Sequence, residues 1–185
     1  MSHIRDPIVS SSNWTPVTTP THTTTSDTSM DKRYDQPNLH SFTINGGISE
    51  VPEPGGLYMI RDLDSGKAIT LVEGHVTLVL DAGTRGGWQW KCEELREGWI
   101  GFRNVVSGKY LGRDNKGRFV ALFDKFHGWE SFVLRPREAG GYNLLGKDGY
   151  VLRAMAIIDA ESTSPTLAET RAAKNGARWE FVKVE

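Results

Sequence analysis

The sequence predicts an all-β protein built from three similar segments. From Val51 onward, short apolar runs alternate with clusters of Gly, Asp and Asn, and no run sustains the 3.6-residue period of a helix. Strands recur roughly every ten residues, a spacing typical of β-sandwiches and β-barrels. Related stretches begin at Leu57, Trp99 and Tyr142. Each segment is too small to bury an apolar face alone, so the three are expected to pack into one core.

The best-defined local element is the stretch SGKYLGRDNKGRFVA, residues 107–121, which predicts a β-hairpin. Strands 109–112 and 118–121 flank a polar tip, and Asp114, Asn115 and Gly117 in that tip are residue types that favour turns.

A repeat relates this hairpin to the preceding segment. LYMIRDLDSGKAITL from Leu57 aligns without gaps with WIGFRNVVSGKYLGR from Trp99, at an offset of 42 residues. Arg61 then falls on Arg103, and Ser-Gly-Lys at 65–67 falls on Ser-Gly-Lys at 107–109. A shorter third copy, YNLLGKDGYVLRA, begins at Tyr142.

Aromatic residues close each copy. The closing segments contain Trp88 and Trp90, Trp129 and Phe132, and Trp179 and Phe181. Trp88, Trp129 and Trp179 are separated by 41 and 50 residues, so we expect one tryptophan per copy to be a core plug. Three pseudo-repeats of four short strands predict a β-trefoil, with a six-stranded barrel capped by hairpins. An eight-stranded up-and-down barrel is the alternative, but it does not account for three such segments.

The chain divides into two unequal parts. Residues 1–50 are expected to form a disordered tail, because 13 of the 20 residues at 10–29 are Ser or Thr and little apolar surface is available for burial. Residues 51–185 are expected to form the β-trefoil domain. Within the tail, LHSFTINGG at 39–47 is expected to supply a strand that docks on the edge of the domain.

The third copy carries an insertion of about nine residues relative to the second copy. Its stretch SPTLAETRAAKNGA, residues 164–177, predicts a short helix or a long loop. Ser164 would be the N-cap, Pro165 the first helical residue and Gly176 the C-cap. Insertions on a regular scaffold often carry specificity.

Composition limits the classes of partner. The formal net charge is −1, which gives no overall attraction to nucleic acid or to an anionic membrane surface. Cys92 is the single cysteine, so no intramolecular disulfide forms, and a cytoplasmic location is expected. No apolar run approaches the ~20 residues of a membrane span, and the N-terminal residues do not form a secretory signal.

The motif Gly-x-Tyr-Leu, Gly-x-Phe-x-Ala and Trp-Glu-x-Phe within residues 107–134 resembles the fascin-like β-trefoils. The first copy is more similar to the ricin-B-type repeat, and the β-trefoil resemblance covers residues 55–185. The stretch GWIGFRN…SGKYLG, within residues 98–112, also resembles uncharacterised fungal single-trefoil chains. The resemblance implies either carbohydrate binding or actin binding. The Gln-x-Trp motif of ricin-type lectins is absent from all three closing segments, so their galactose site does not carry over.

Candidate ligand-binding residues lie in the second copy, on the hairpin and on the connection that follows it: Arg113, Asp114, Asn115, Asp124, Phe126 and His127. A carboxylate accepts hydrogen bonds from two sugar hydroxyls, while an aromatic ring covers the C–H face. The alternative interpretation is that Asp114 and Asn115 only form the turn and that Phe126 only packs.

An enzymatic site has little support. The motifs CxxC, HExxH, GxSxG and the P-loop are absent, and no residue cluster suggests a metal or other cofactor. Cys92 shares strand parity with Trp88 and Trp90, so it is expected to point inward as an inert apolar residue.

Three functions therefore remain open. The leading hypothesis is a non-catalytic protein that binds carbohydrate. The second is a fascin-like module that binds a protein ligand such as actin. The third is a small-metabolite enzyme that has no recognisable nucleophile.

Overall fold

The computed structural model describes residues 42–44, 47–82, 86–94, 98–163 and 165–184, with side chains from Glu50 onward. These residues belong to the compact unit Asp35–Glu185. The described strands are β1 Phe42–Ile44, β2 Gly47–Ser49, β3 Leu57–Asp62, β4 Ala68–Val72, β5 His75–Val79, β6 Gln89–Glu94, β7 Ile100–Asn104, β8 Tyr110–Arg113, β9 Phe119–Phe123, β10 Phe132–Pro136, β11 Tyr142–Asp148, β12 Val151–Ile158, β13 Thr166–Thr170 and β14 Trp179–Lys183. A 3-10 turn spans Ala173–Asn175. No helix among the described residues is long and apolar enough to cross a membrane.

Six strands form a closed barrel. Antiparallel pairing runs from β14 through β11, β10, β7 and β6 to β3, and β14 pairs back onto β3. The closing pair runs in continuous register from Trp179 opposite Asp62 to Lys183 opposite Tyr58. Closure satisfies the backbone groups that an open sheet would leave unpaired at its edges.

Three hairpins cap one end of the barrel. β4 pairs with β5, β8 with β9, and β12 with β13, and β5, β9 and β13 pack against one another. This arrangement is the predicted β-trefoil. The hairpin predicted at 109–121 is present, with its strands shifted by one or two residues. Gly117 in its tip has φ +76° and lies so close to Glu169 that an added Cβ would be 2.8 Å from Cγ of Glu169.

The core plugs differ from the predicted set. Trp90, Phe132 and Trp179 are fully buried. Their positions in the barrel are equivalent, because they pair with Tyr58, Ile100 and Tyr142, which follow one another at intervals of 42 residues. The expectation that Trp129 is a core plug was wrong, since this residue is 42% exposed. Strand β10 begins at Phe132, which places Trp129 in the preceding turn, outside the barrel.

The aligned turns of the first two copies are built alike. Asp62 Oδ2 accepts hydrogen bonds from the backbone N–H and hydroxyl of Ser65, at 2.8 and 2.6 Å. In the second copy, Asn104 Oδ1 accepts from the backbone N–H of Ser107 at 3.1 Å. Asn104 also donates from Nδ2 to the carbonyl of Gly87 at 2.8 Å, which ties its turn to the preceding copy.

Residues 165–177 form neither the short α-helix nor the long loop that was predicted, because they contain strand β13 and a 3-10 turn. Pro165 precedes strand β13, which pairs with β12 from Ile158 opposite Thr166 to Ala154 opposite Thr170. Leu167 in β13 is buried, so the pairing partner and the core override the local helix propensity. Gly176 ends the 3-10 turn instead, and Ser164 lies outside the described residues.

The expected tail lies mostly outside the described residues, including the Ser/Thr-rich stretch 10–29. Within residues 1–50, β1 pairs with β2, and Ser49 of β2 pairs with Val182 of β14. Strand β1 is the strand expected within 39–47, and it reaches the barrel through β2.

Replacing Asn104 with Ala should lower the free energy of unfolding by about 1–3 kcal/mol, because it removes the partner of the buried Gly87 carbonyl and of the Ser107 N–H. Asn104→Asp, which copies Asp62 of the first copy, retains the acceptor but loses the donor to Gly87 and should fall between wild type and Asn104→Ala. Urea denaturation of the three proteins measures this order. Equal midpoints for wild type and Asn104→Ala would contradict it.

Candidate functional site

The hairpin tip uses the Asp114 carboxylate to form the turn. Its Oδ1 accepts backbone hydrogen bonds from Lys116 at 2.8 Å and Arg118 at 2.9 Å, and its Oδ2 accepts from Nε of Arg118 at 3.0 Å. Burial alone raises the pKa of Asp114, but the hydrogen bonds from Arg118 and Lys116 outweigh it and hold the pKa below its usual range. Asn115 is exposed at the tip.

The predicted residues on the connection after β9 make separate contacts. Asp124 is exposed and pairs with Nζ of Lys109 at 2.6 Å, and this hydrogen bond lowers the pKa of Asp124. Phe126 packs edge-on against Tyr110, with ring centres 5.1 Å apart. His127 is exposed, and its backbone N–H donates to Glu130 at 2.9 Å. Among the described residues, no hydrogen bond, ion pair or ring contact joins any two of the six predicted side chains.

Arg113 differs from the other five, because it enters an ion-pair network between the second and third copies. Its Nη2 lies 2.5 Å from Oδ1 of Asp148, and its Nη1 lies 3.6 Å from Oε2 of Glu169. Asp148 also accepts from Nε of Arg153 at 3.1 Å. The Arg113 side chain is 11% exposed, whereas that of Asp148 is 29% exposed. The Arg113 side chain is therefore mostly shielded from solvent, whereas the Asp148 carboxylate is partly exposed.

Trp129 lies beside this network. The Arg113 guanidinium carbon is 5.0 Å from the centre of the Trp129 ring, within range of a cation–π contact. The backbone is fixed on both sides of Trp129. Its carbonyl accepts from the N–H of Arg113 at 3.1 Å, and the buried Glu130 carboxylate accepts from the N–H groups of His127 and Gly128. We call Arg113, Trp129, Asp148, Arg153 and Glu169 the Trp129 surface.

The Trp129 surface continues along β11. Nζ of Lys147 lies 5.4 Å from the centre of the Trp99 ring, and its backbone N–H donates to Ser131 at 3.1 Å. Tyr150, at the tip of the β11–β12 hairpin, is fully exposed.

Sequence reasoning found Arg113 but missed Asp148, Arg153 and Glu169. These residues lie in the third copy, and antiparallel pairing of β11, β12 and β13 brings them to Arg113. The available signal was the pair of arginines Arg113 and Arg153, which occupy the second strand of their copies.

The insertion also lines a cleft of about 330 Å³ with the turn of the first copy. Two carboxylates in this cleft already have partners, since Asp62 accepts from Ser65 and Asp64 pairs with Arg178. The hydrogen bond from Arg178 lowers the pKa of Asp64. These contacts hold the turn in place and do not leave a free acid–base pair.

Chemically reactive groups are few in the described part of the chain. Cys92 is fully buried, and burial together with the nearby Glu93 and Glu94 charges raises its pKa to about 12. Its thiol therefore stays protonated at neutral pH, and the thiolate is the nucleophilic form. No group of three or more metal-ligating side chains occurs among the residues that the structure describes.

The structure resembles solved β-trefoil proteins at low sequence identity. The designed three-fold symmetric protein ThreeFoil has a TM-score of 0.58 and 20% identity over 70% of this chain and 99% of its own. The Macrolepiota procera ricin B-like lectin, solved with lactose, has a TM-score of 0.57 and 17% identity over 72% of this chain and 99% of its own.

An exo-β-1,3-galactanase from Clostridium thermocellum has a TM-score of 0.62 and 18% identity over 75% of this chain. The match spans only 32% of that enzyme. The sequence matches no protein family and no curated protein. The likeness therefore establishes the β-trefoil fold.

Cys92 should not react with a thiol reagent such as Ellman's reagent at pH 8 in the native protein, because the sulfur is buried and protonated. In guanidinium chloride one thiol per chain should react. Absorbance of the released thionitrobenzoate measures both. Rapid stoichiometric reaction of the native protein would contradict this, because it would show that Cys92 is accessible and able to act as a nucleophile.

Proposed function

We propose that this β-trefoil protein binds carbohydrate without catalysing a reaction and that the Trp129 surface is its binding site. The observation that carries the proposal is a solvent-exposed tryptophan held beside a rigid network of carboxylates and guanidiniums. Trp129 is 42% exposed, so part of its apolar surface is available to a ligand beside these charged groups.

The chemistry of the surface suits a sugar ring. The Trp129 ring offers an apolar face for the C–H groups of a pyranose. The carboxylates of Asp148 and Glu169 accept hydrogen bonds from hydroxyls, and the guanidiniums of Arg113 and Arg153 donate to them. Because these side chains already hold one another in place, binding costs little side-chain entropy.

The solved neighbours support the same class of ligand. The Macrolepiota procera protein is a lectin described in complex with lactose, and the galactanase acts on a galactan.

A second candidate function is protein binding. At the tip of the β11–β12 hairpin, Tyr150 is fully exposed and Val151 is half exposed, and exposed apolar groups of this kind are enriched in protein interfaces. An actin-binding, fascin-like role would use such a tip. Co-sedimentation with actin filaments, compared between wild type and Tyr150→Ala, tests this candidate.

Trp129→Ala should weaken binding of the full chain to its glycan about tenfold or more, a loss of ~1.4 kcal/mol or more, because the apolar face is removed. Asp148→Asn should weaken it as well by removing a charged acceptor. A glycan array identifies the ligand, and titration calorimetry then compares the variants.

Leu122→Ala is the matched control, because Leu122 is exposed in the same copy and makes no contact with the Trp129 surface among those described. It should bind like wild type. A folded wild-type protein that binds no glycan would refute the proposal. Undiminished binding by Trp129→Ala would move the site elsewhere.

A further inference from the structure

The first copy has a cleft at the place where the second copy has a tyrosine. Arg61 pairs with Ala68 between β3 and β4, and the equivalent pair between β7 and β8 is Arg103 with Tyr110. The turns between these strands superpose in their hydrogen bonds, with Asp62 N–H to the Lys67 carbonyl at 2.9 Å and Asn104 N–H to the Lys109 carbonyl at 2.8 Å. The two positions are therefore equivalent in backbone and differ in side chain.

In the second copy, Tyr110 fills this place completely. The Arg103 guanidinium carbon lies 5.6 Å from the centre of its ring, and Phe126 packs against it edge-on. The Tyr110 hydroxyl donates to Oε2 of Glu93 at 2.5 Å. A guanidinium, an apolar wall and a carboxylate together hold the phenol ring.

In the first copy, Ala68 is 2% exposed and lines a cleft of about 300 Å³. Its described walls include Met59, Arg61, Leu80, Asp81 and Trp88. The walls thus include a guanidinium and apolar and aromatic side chains, together with the Asp81 carboxylate, which already takes part in another interaction. The volume lies at the small end of ligand pockets and suits a single ring.

Glu180 adds an unused acceptor next to the cleft. Its Oε1 accepts a hydrogen bond from Nε of Arg61, which lines the cleft. The Glu180 side chain is only 3% exposed, and its Oε2 is buried without a hydrogen-bond partner among the described residues. An unpaired buried acceptor is unfavourable, so a hydroxyl donor that reaches it is stabilised.

We propose that the cleft formed by Met59, Arg61, Ala68, Leu80, Asp81 and Trp88 binds a phenolic ring, which takes the place that Tyr110 occupies in the second copy. The ring stacks against Arg61. Its hydroxyl donates to the unpaired Oε2 of Glu180, in the way that the Tyr110 hydroxyl donates to Glu93. The phenol comes either from a free small molecule or from a tyrosine side chain of a peptide. This site lies in the first copy and is independent of the Trp129 surface.

The test uses the full chain and 4-methylphenol, which is the tyrosine side chain alone. Ligand-observed NMR titration should show saturable binding of one molecule per chain. Ala68→Tyr, which supplies the side chain of the second copy, should fill the cleft and weaken binding at least tenfold. If circular dichroism shows that Ala68→Tyr does not fold, Ala68→Leu takes its place in the test, because leucine blocks the cleft with a smaller side chain.

Leu122→Ala is the matched control for Leu80→Ala, because Leu122 aligns with Leu80 in the second copy. Leu80→Ala should weaken binding and Leu122→Ala should not. Tyr110→Ala should open a second cleft and bind two molecules of 4-methylphenol per chain. N-acetyl-tyrosinamide distinguishes the sources: binding tighter than that of 4-methylphenol indicates a peptide, and weaker binding indicates a free phenol.

Three results would overturn the proposal. The first is the absence of saturable binding to the wild type. The second is binding that the folded Ala68 variants leave unchanged. The third is displacement of 4-methylphenol by methyl β-galactoside at equal concentration, which would make the cleft a sugar site. None of these results depends on Trp129, so they do not test the proposal that the Trp129 surface binds carbohydrate.

Discussion

Closure of the barrel between β14 and β3 is the constraint on which the rest of the structure depends. Their five residue pairs join the third copy to the first. Closure places Trp90, Phe132 and Trp179 in one buried layer, where each supplies a large apolar side chain that a single copy has no means of covering. The hairpin cap and both candidate sites are positioned by this closed core.

The repeat made the fold predictable. The turn residues that align between copies one and two, and the aromatic residues that close each copy, were sufficient for the β-trefoil and for the hairpin at 107–121. The equivalent core residues were harder to identify. The second copy has Phe132 where the other copies have tryptophan, and the nearby Trp129 was mistaken for the core residue. The strand β13 was missed because its pairing with β12 is not encoded in its own helix-favouring sequence.

The candidate sites were only partly predictable, for a related reason. Arg113 was found because it lies in a recognisable hairpin, but its partners Asp148 and Glu169 come from another copy, and no local pattern links them to it. The cleft beside Arg61 is lined by Ala68, whose methyl group stands where the second copy has the larger side chain of Tyr110. It becomes visible only when the copies are compared in register. Functional differences between copies arise where the shared scaffold is kept and single side chains change.

The order of β14 in the chain has a consequence for biosynthesis. Arg61 and Glu180 meet across the closing seam although 119 positions separate them. The hairpins of the first two copies pair residues that are close in sequence, so they are able to form as those residues leave the ribosome. The barrel closes only after β14 has emerged. Until then the apolar faces of the earlier copies are uncovered, and this is the interval in which chaperones bind such chains and in which aggregation competes with folding.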